Sequence, residues 1–199
     1  MSAALEQFRL PLFPLNAVVF PGGRLPLRIF EQRYLDMVKQ AIADDTPFGI
    51  CAIRESSETG GAPAAPYTVG TRVHVTDWDM PQAGILHIDT QAEERFVVRS
   101  TRTEPGGLLI GSVEAVSAEP ASAIPDELEL AVEILRHIID EYGNSNFPAP
   151  HEFDNAVWVG YRLSEVLPLK LSVKQNLLEM NDSAMRLRIL TEFLKKQVN

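Results

Sequence analysis

Cysteine is almost missing from this chain. Cys51 is the single one among 199 residues, so an intramolecular disulfide is excluded, as suits a reducing compartment. It sits in the apolar run FGICAI, residues 48–53, with no activating neighbour, which makes it a buried strand residue rather than a thiol nucleophile. Glycine-rich phosphate loops are missing as well. None of the five lysines, Lys39, Lys170, Lys174, Lys195 and Lys196, follows a glycine, and Gly22 with Gly23 and Gly106 with Gly107 are isolated pairs. ATP or dinucleotide binding by a familiar loop is thereby excluded, and no cofactor is expected. No apolar stretch approaches the roughly 18 residues of a membrane span. The opening MSAALEQFRL lacks the charged-then-apolar plan of a signal peptide, so a cytoplasmic protein without a membrane partner is expected. Positive charge is also scarce. A net charge of −9 and a pI near 4.9 disfavour a phosphate backbone, whose binding depends on Lys and Arg displacing counterions.

The usual catalytic constellations are equally hard to find. His74, His87, His137 and His151 are scattered, without HExxH or paired cysteines. His74 and His87 can approach each other only across a hairpin, where strand histidines are normally plain polar residues. There is no GxSxG elbow. Ser172 and Lys174 diverge across a helix start, and Ser172 suits a capping box with Gln175 better than a dyad. Asp77 and Asp79 lie near a turn, as solvated carboxylates do.

What is present is an ordinary globular composition, 45% apolar and 23% charged, enough for one or two packed domains. Pro11, Pro14, Pro21, Gly22, Gly23 and Pro26 break the opening into short extended pieces. Tyr34, Leu35, Val38, Ala41 and Ile42 then recur at helical spacing, predicting a helix over residues 31–43 that Asp44, Asp45 and Pro47 close. A short strand follows over 48–53, and ESSETGGAPAAP, residues 55–66, reads as a mobile loop. Val69, Val73 and Val75 alternate as a half-buried strand does. A turn around residues 81–84 folds 85–89 back against it, and 95–99 and 108–116 supply further strands.

Beyond residue 118 the period becomes helical. Pro125 suits a first helical position, and Leu128, Ala131, Leu135, Ile138 and Tyr142 form one stripe before a C-cap at Gly143 and Asn144. Trp158 falls in a second helix, from about 154 to before Pro168, as a core residue. A third helix starts with Ser172 and Gln175, and a fourth near Asp182 buries Leu187, Leu190 and Leu194. The chain therefore divides into a β-rich part, residues 1–118, and a helical bundle, 119–199. Charge divides too: residues 119–169 hold ten acidic and two basic side chains, and 170–199 hold three and six. Oppositely charged faces attracting within one bundle account for this.

One block is specific. LPLFPL at 10–15, VFPG at 19–22, LPL at 25–27, and IFE at 29–31 followed by Arg33 and Tyr34 resemble the N-terminal domain family of Lon proteases. Later fragments keep the family order: Phe48, Gly49 and Ile50; Gly70 and Thr71; Arg95 and Phe96; then 163–169, Lys174 with Gln175, and 177–179. The resemblance covers about residues 10–194. It implies an α+β fold, a β-rich PUA-like pseudo-barrel with one inserted helix, followed by a C-terminal helical bundle. It also implies a substrate-recognition role. In Lon proteases the ATPase and Ser–Lys peptidase domains follow this domain, and no catalytic residue carries over. The expected function is a stand-alone, non-catalytic module that binds unfolded, apolar or degron-bearing protein segments, with a protease or chaperone as a candidate co-partner. An RNA-binding module of PUA-like type and an uncatalogued hydrolase are the alternatives. Glu93 and Glu94 depart from the glycine that the family places before Arg95 and Phe96, which bears on a local turn. Most of the opening block is scaffold. Its candidate partner contacts are Arg28, Glu31 and Arg33, which are placed to form a charge network. Trp78 and Met80, in the turn region DWDMPQAG, are the candidate apolar anchors.

Overall fold

A computed structural model describes residues 7–54, 65–143, 147 and 149–198. The chain separates into two compact units, Met1–Ser117 and Ala118–Asn199. Most of the loop expected at 55–66, and Asn144 of the expected helix cap, lie outside the described residues.

Among the described residues the first unit holds six strands and one helix: β1 (Gln7–Leu15), β2 (Arg24–Ile29), α1 (Gln32–Asp44), β3 (Phe48–Ala52), β4 (Val69–Gln82), β5 (Ile85–Thr103) and β6 (Leu109–Ala115). The sheet order is β2-β5-β4-β3-β1-β6, and β6 pairs again with β5. Five strands therefore close into a ring, and β2 is added outside it on β5. The β1–β3 pair is parallel and the others are antiparallel. This is the pseudo-barrel with one inserted helix that the resemblance implied.

Inside the ring Leu10, Leu12, Cys51, Phe96 and Val113 form one apolar cluster. The Phe96 ring lies where a Cβ on Gly49 or Gly70 would come within 2.6 and 2.7 Å of it, closer than non-bonded carbons approach. Both positions thus need glycine for space. A second cluster packs Tyr34, Leu35, Met37, Val38 and Ala41 of α1 against Phe13, Ile29, Phe48, Val73, Leu86 and Ile88. Four of the five apolar positions that predicted the helix are in this set; the fifth, Ile42, is partly buried against it, and Met37 is added. The helix ends where Asp45 turns left-handed at φ 51° and Thr46 N–H bonds to the Ala41 carbonyl at 3.0 Å. The buried hydroxyls of Thr71 and Thr90 donate to the carbonyls of Val19 (2.6 Å) and Leu25 (2.8 Å), so burial leaves neither without a partner.

Two expectations for the strands need correction. The segments 85–89 and 95–99 are parts of one 19-residue strand, β5. No turn occurs at Glu93 and Glu94. Instead, Glu93 binds Arg72 (2.7 Å) and His74 (2.7 Å), and Glu94 binds Arg72 (2.9 Å), a cross-strand ladder that suits an extended backbone. Likewise Trp78 and Met80 lie within β4, which runs on to Gln82 before Gly84 turns at φ 82°. Pro81 is tolerated because this end of the strand is exposed on both faces.

The second unit contains a 3-10 turn at Asp126–Leu128 and then α2 (Glu129–Tyr142), α3 (Ala156–Val166), α4 (Leu171–Glu179) and α5 (Ser183–Val198). Its centre is a cation. Arg186 is fully buried. Its Nε donates to the Leu177 carbonyl at 3.0 Å, its guanidinium meets the Glu119 carboxylate, and its Cζ lies 4.4 Å from the centre of the Tyr161 ring. Tyr161 Oη donates to the same carboxylate at 2.9 Å.

Here the expectations hold for Leu187, Leu190 and Leu194, which are buried. The α2 stripe differs: Ile139 is buried, whereas Ile138 is half-buried and Tyr142 is exposed. The capping box does not form. The chain enters α4 from Lys170, Ser172 lies inside the first turn, and Gln175 bonds forward to Glu179 at 2.8 Å. Trp158 is only partly buried, set edge-on to Phe153 and tilted against His151. Among the described residues no helix is long and apolar enough to cross a membrane.

Candidate protein-binding surface

The outer end of the β4–β5 hairpin carries the aromatic and sulfur side chains expected as anchors. Cross-strand register builds it row by row. Leu27 of β2 pairs with Ile88 of β5, which pairs with Trp78 of β4. The rows beside it are Pro26–Asp89–Asp77 and Arg28–His87–Asp79. Because side chains alternate along a strand, the Trp78 row and its two neighbours point to opposite faces. Ile88 is part of the α1 core, so Trp78 lies on the α1 side. The rows to either side form a polar outer face.

Two hollows follow from this arrangement. On one side an open groove of about 410 Å³ is lined by residues of all three rows, including Pro26, Leu27, Arg28, Trp78 and His87. On the other, a cleft of about 190 Å³ lies between the end of α1 and β4, walled by Ala41, Ile42, Val75 and Trp78, with His74 and Thr76 at its polar edge. Trp78 borders both and remains 55% exposed; Met80, two residues on, is 37% exposed. An indole that keeps half its surface in water beside a cleft can gain area by taking up an apolar side chain.

The structure brings a further large apolar group to this end of the sheet. Phe30 follows directly on the Ile29–Leu86 pair, where β2 ends beside the hairpin tip, and it is 66% exposed. Sequence reasoning took it as part of the scaffold block. The signal that separates it is strand alternation: Ile29 points inward, so the next side chain points out.

Arg28, Glu31 and Arg33 do not form one network. Arg33 bonds to Glu31 (2.8 Å) and to the Gly107 carbonyl (3.1 Å), and its Cζ lies 4.6 Å from the centre of the Tyr34 ring. These contacts tie the start of α1 to the turn between β5 and β6. Glu31 precedes α1 without capping it through its side chain, because its carboxylate is engaged by Arg33. Arg28 lies apart, across from His87 in the open groove. His74 and His87 do not meet either, since His74 is opposite Gln91 and bonded to Glu93. Among the described residues no group of three or more His, Cys, Asp or Glu side chains is placed to hold a metal ion. Cys51 is fully buried, and burial pushes its thiol up to about 12.

The model of the ATP-dependent protease La (LON) substrate-binding domain family matches residues 9–196. The chain belongs to this family. It is 26% identical over 197 residues to Lon protease 2 of Myxococcus xanthus, covering 94% of this chain and 24% of that protein. It is 28% identical over 198 residues to the Lon protease of Anaeromyxobacter dehalogenans, covering 94% and 23%. The chain thus spans about a quarter of the length of the curated Lon proteases it matches. Among solved structures, the Lon N-terminal domain protein from Xanthomonas campestris superposes with a TM-score of 0.76 at 32% identity, over 93% of this chain and 98% of that one. The N-terminal domain of the Mycobacterium avium complex Lon protease gives 0.63 at 17% identity, over 93% and 97%, a likeness of fold. The LON substrate-binding resemblance read from the opening block is therefore a family membership, and it points to a substrate-recognition module.

Proposed function

We propose that the chain is a protein-binding module that takes up exposed apolar segments of unfolded or degron-bearing polypeptides, with Trp78, Met80 and Phe30 as its anchors. The observation that supports this most is the exposure of three large apolar side chains at one end of a well-packed sheet. Such groups are normally inside, and aromatic residues beside a pocket are where binding energy concentrates. An apolar side chain of the bound segment occupies the cleft between α1 and β4, against Trp78 and Ile42. Arg28 and His87 meet polar groups of the same segment in the open groove, whereas Glu31 and Arg33 hold α1 in place beside it. The acidic rows at Asp77, Asp79 and Asp89 make an RNA backbone a poor occupant.

Titrating a permanently unfolded, reduced and alkylated model chain tests the proposal, with its folded disulfide-intact form as control. The Trp158→Phe background leaves Trp78 as the single tryptophan, so indole emission reports on the surface directly. Saturable binding of the unfolded chain with a blue shift is expected. Trp78→Ala with Met80→Ala, read by fluorescence polarisation of a dye-labelled unfolded chain, is expected to weaken it by about tenfold or more, about 1.4 kcal/mol. Equal affinity for the folded control, or no effect of the double substitution, contradicts the proposal.

A further inference from the structure

The second unit carries two apolar stripes that face away from its own core. On α2 they are Leu130, Ile134, Ile138 and Tyr142, spaced four apart. Leu130 is 37% and Tyr142 64% exposed, and the two isoleucines are half-buried. On α5 they are Met185, Ile189 and Phe193, again four apart, with Met185 and Ile189 exposed and Phe193 half-buried. The α5 stripe floors a shallow groove of about 480 Å³ edged by Arg188, Glu192 and Lys196. A helix that is apolar on two sides has more to bury than its own bundle covers.

The charges beside the two stripes are opposite. Glu129, Glu133, Asp140 and Glu141 of α2 are exposed. The single basic side chain of that helix other than His137, Arg136, is drawn over the Phe153 ring at 3.9 Å. On α5, Arg188, Lys195 and Lys196 are exposed, and Glu192 is engaged by Lys195 at 3.1 Å. The charge division visible in the sequence is therefore met only partly within the bundle, by Glu119 with Arg186 and by the exposed Glu127 with Arg188 at 3.5 Å. Counted by helix, the exposed charges of α2 are four acids and Arg136, and those of α5 are three bases and Glu192.

We infer that the occupant of these stripes is a second copy of this chain. The acidic stripe of α2 in one copy lies along the basic stripe of α5 in its partner, and the reverse contact forms at the same time. One chain carries both halves of a complementary pair, and α2 and α5 are neighbours in the unit, so a two-fold axis satisfies both contacts at once. Apolar side chains at four-residue spacing supply the packing, and the flanking charges fix which helix meets which.

Sedimentation velocity on the full chain between about 5 and 200 µM, the range in which modest helix contacts assemble, tests the assignment. Mass is expected to rise from one copy to two, and the dimer to weaken in high salt. Charge reversal on α5 (Arg188→Glu with Lys196→Glu) and on α2 (Glu133→Lys with Glu141→Lys) is expected to leave each variant monomeric. Mixing the two restores both complementary contacts, so the mixture is expected to dimerise although neither component does. Unchanged helical circular dichroism shows that each variant is folded, and Ile189→Asp serves as a second disruption that leaves every native charge in place. A native chain that stays monomeric throughout, reversed variants that dimerise as the native chain does, a mixture that stays monomeric, or growth beyond two copies overturns the inference.

Discussion

In the barrel the last gap is filled by Phe96, pressed against Gly49 and Gly70. In the helical unit the corresponding place is taken by Arg186, whose charge is met by Glu119 and whose remaining donors reach main-chain carbonyls. A strand ring can shrink to fit an aromatic ring by dropping side chains to glycine, since its backbone is already paired. A bundle of short helices has free carbonyls at its helix ends, and the Leu177 carbonyl near the end of α4 supplies an acceptor that an apolar core would leave unpaired. The difference teaches where each unit is brittle: the barrel to added volume, the bundle to removed charge.

Removing the buried cation is expected to have the largest effect. Arg186→Met keeps much of the volume but removes the cation that meets the buried Glu119 carboxylate, leaving the Tyr161 hydroxyl to donate to it, and a loss of about 3–5 kcal/mol is expected in urea unfolding. Combining it with Glu119→Leu removes both charges and is expected to recover a good part of that loss. If the double variant is no better than the single, Arg186 acts by packing alone. Adding one methyl to the barrel comes next. Gly70→Ala places a Cβ 2.5 Å from the Ile50 carbonyl oxygen, with an expected cost of about 2 kcal/mol. The same substitution at Gly84, where a Cβ meets nothing within 4 Å, is disfavoured only by its positive φ and is expected to cost less.

A smaller effect depends on pH. The Cys51 thiol is raised by burial, so the folded chain holds its proton after the unfolded chain has lost it. The contribution of that thiol to stability is complete below about pH 9, the ordinary value, and is lost as pH rises toward about 12. Unfolding midpoints measured from pH 8 to 11 are expected to fall more steeply for the native chain than for Cys51→Ala, and native Cys51 is expected to resist alkylation until the barrel opens. At the far end, Trp78→Ala with Met80→Ala is expected to shift stability by no more than about 0.5 kcal/mol while weakening peptide binding. That separation of binding from stability would mark the hairpin as surface rather than core.

Much of the fold was legible because its signals are local. The stripe of α1, the buried leucines of α5 and the opening block with its family resemblance all depend on residues a few positions apart. The length of β4 was not legible, because Asp77, Asp79 and Pro81 carry turn-like propensities that pairing with β5 overrides. The continuity of β5 through Glu93 and Glu94 was hidden in the same way, since what stabilises it is Arg72 and His74 on another strand. At the candidate surface, Trp78 and Met80 were recognised by residue type. Phe30 was not, although the alternation that turns Ile29 inward turns it outward; its place in the family block drew it into the scaffold. Ser172 and Gln175 had the spacing of a cap, but the helix begins before them, after Pro168, and the spacing went unused.

The 19 residues of β5 belong to two neighbourhoods. From Phe96 onward the strand closes the ring against β6, and before Ala92 it forms the arm that carries His87 opposite Asp79. An arm that springs from a strand already anchored at its other end needs no separate foundation. Residues at its tip can therefore be exchanged, lengthened or shortened while the ring goes on folding as before.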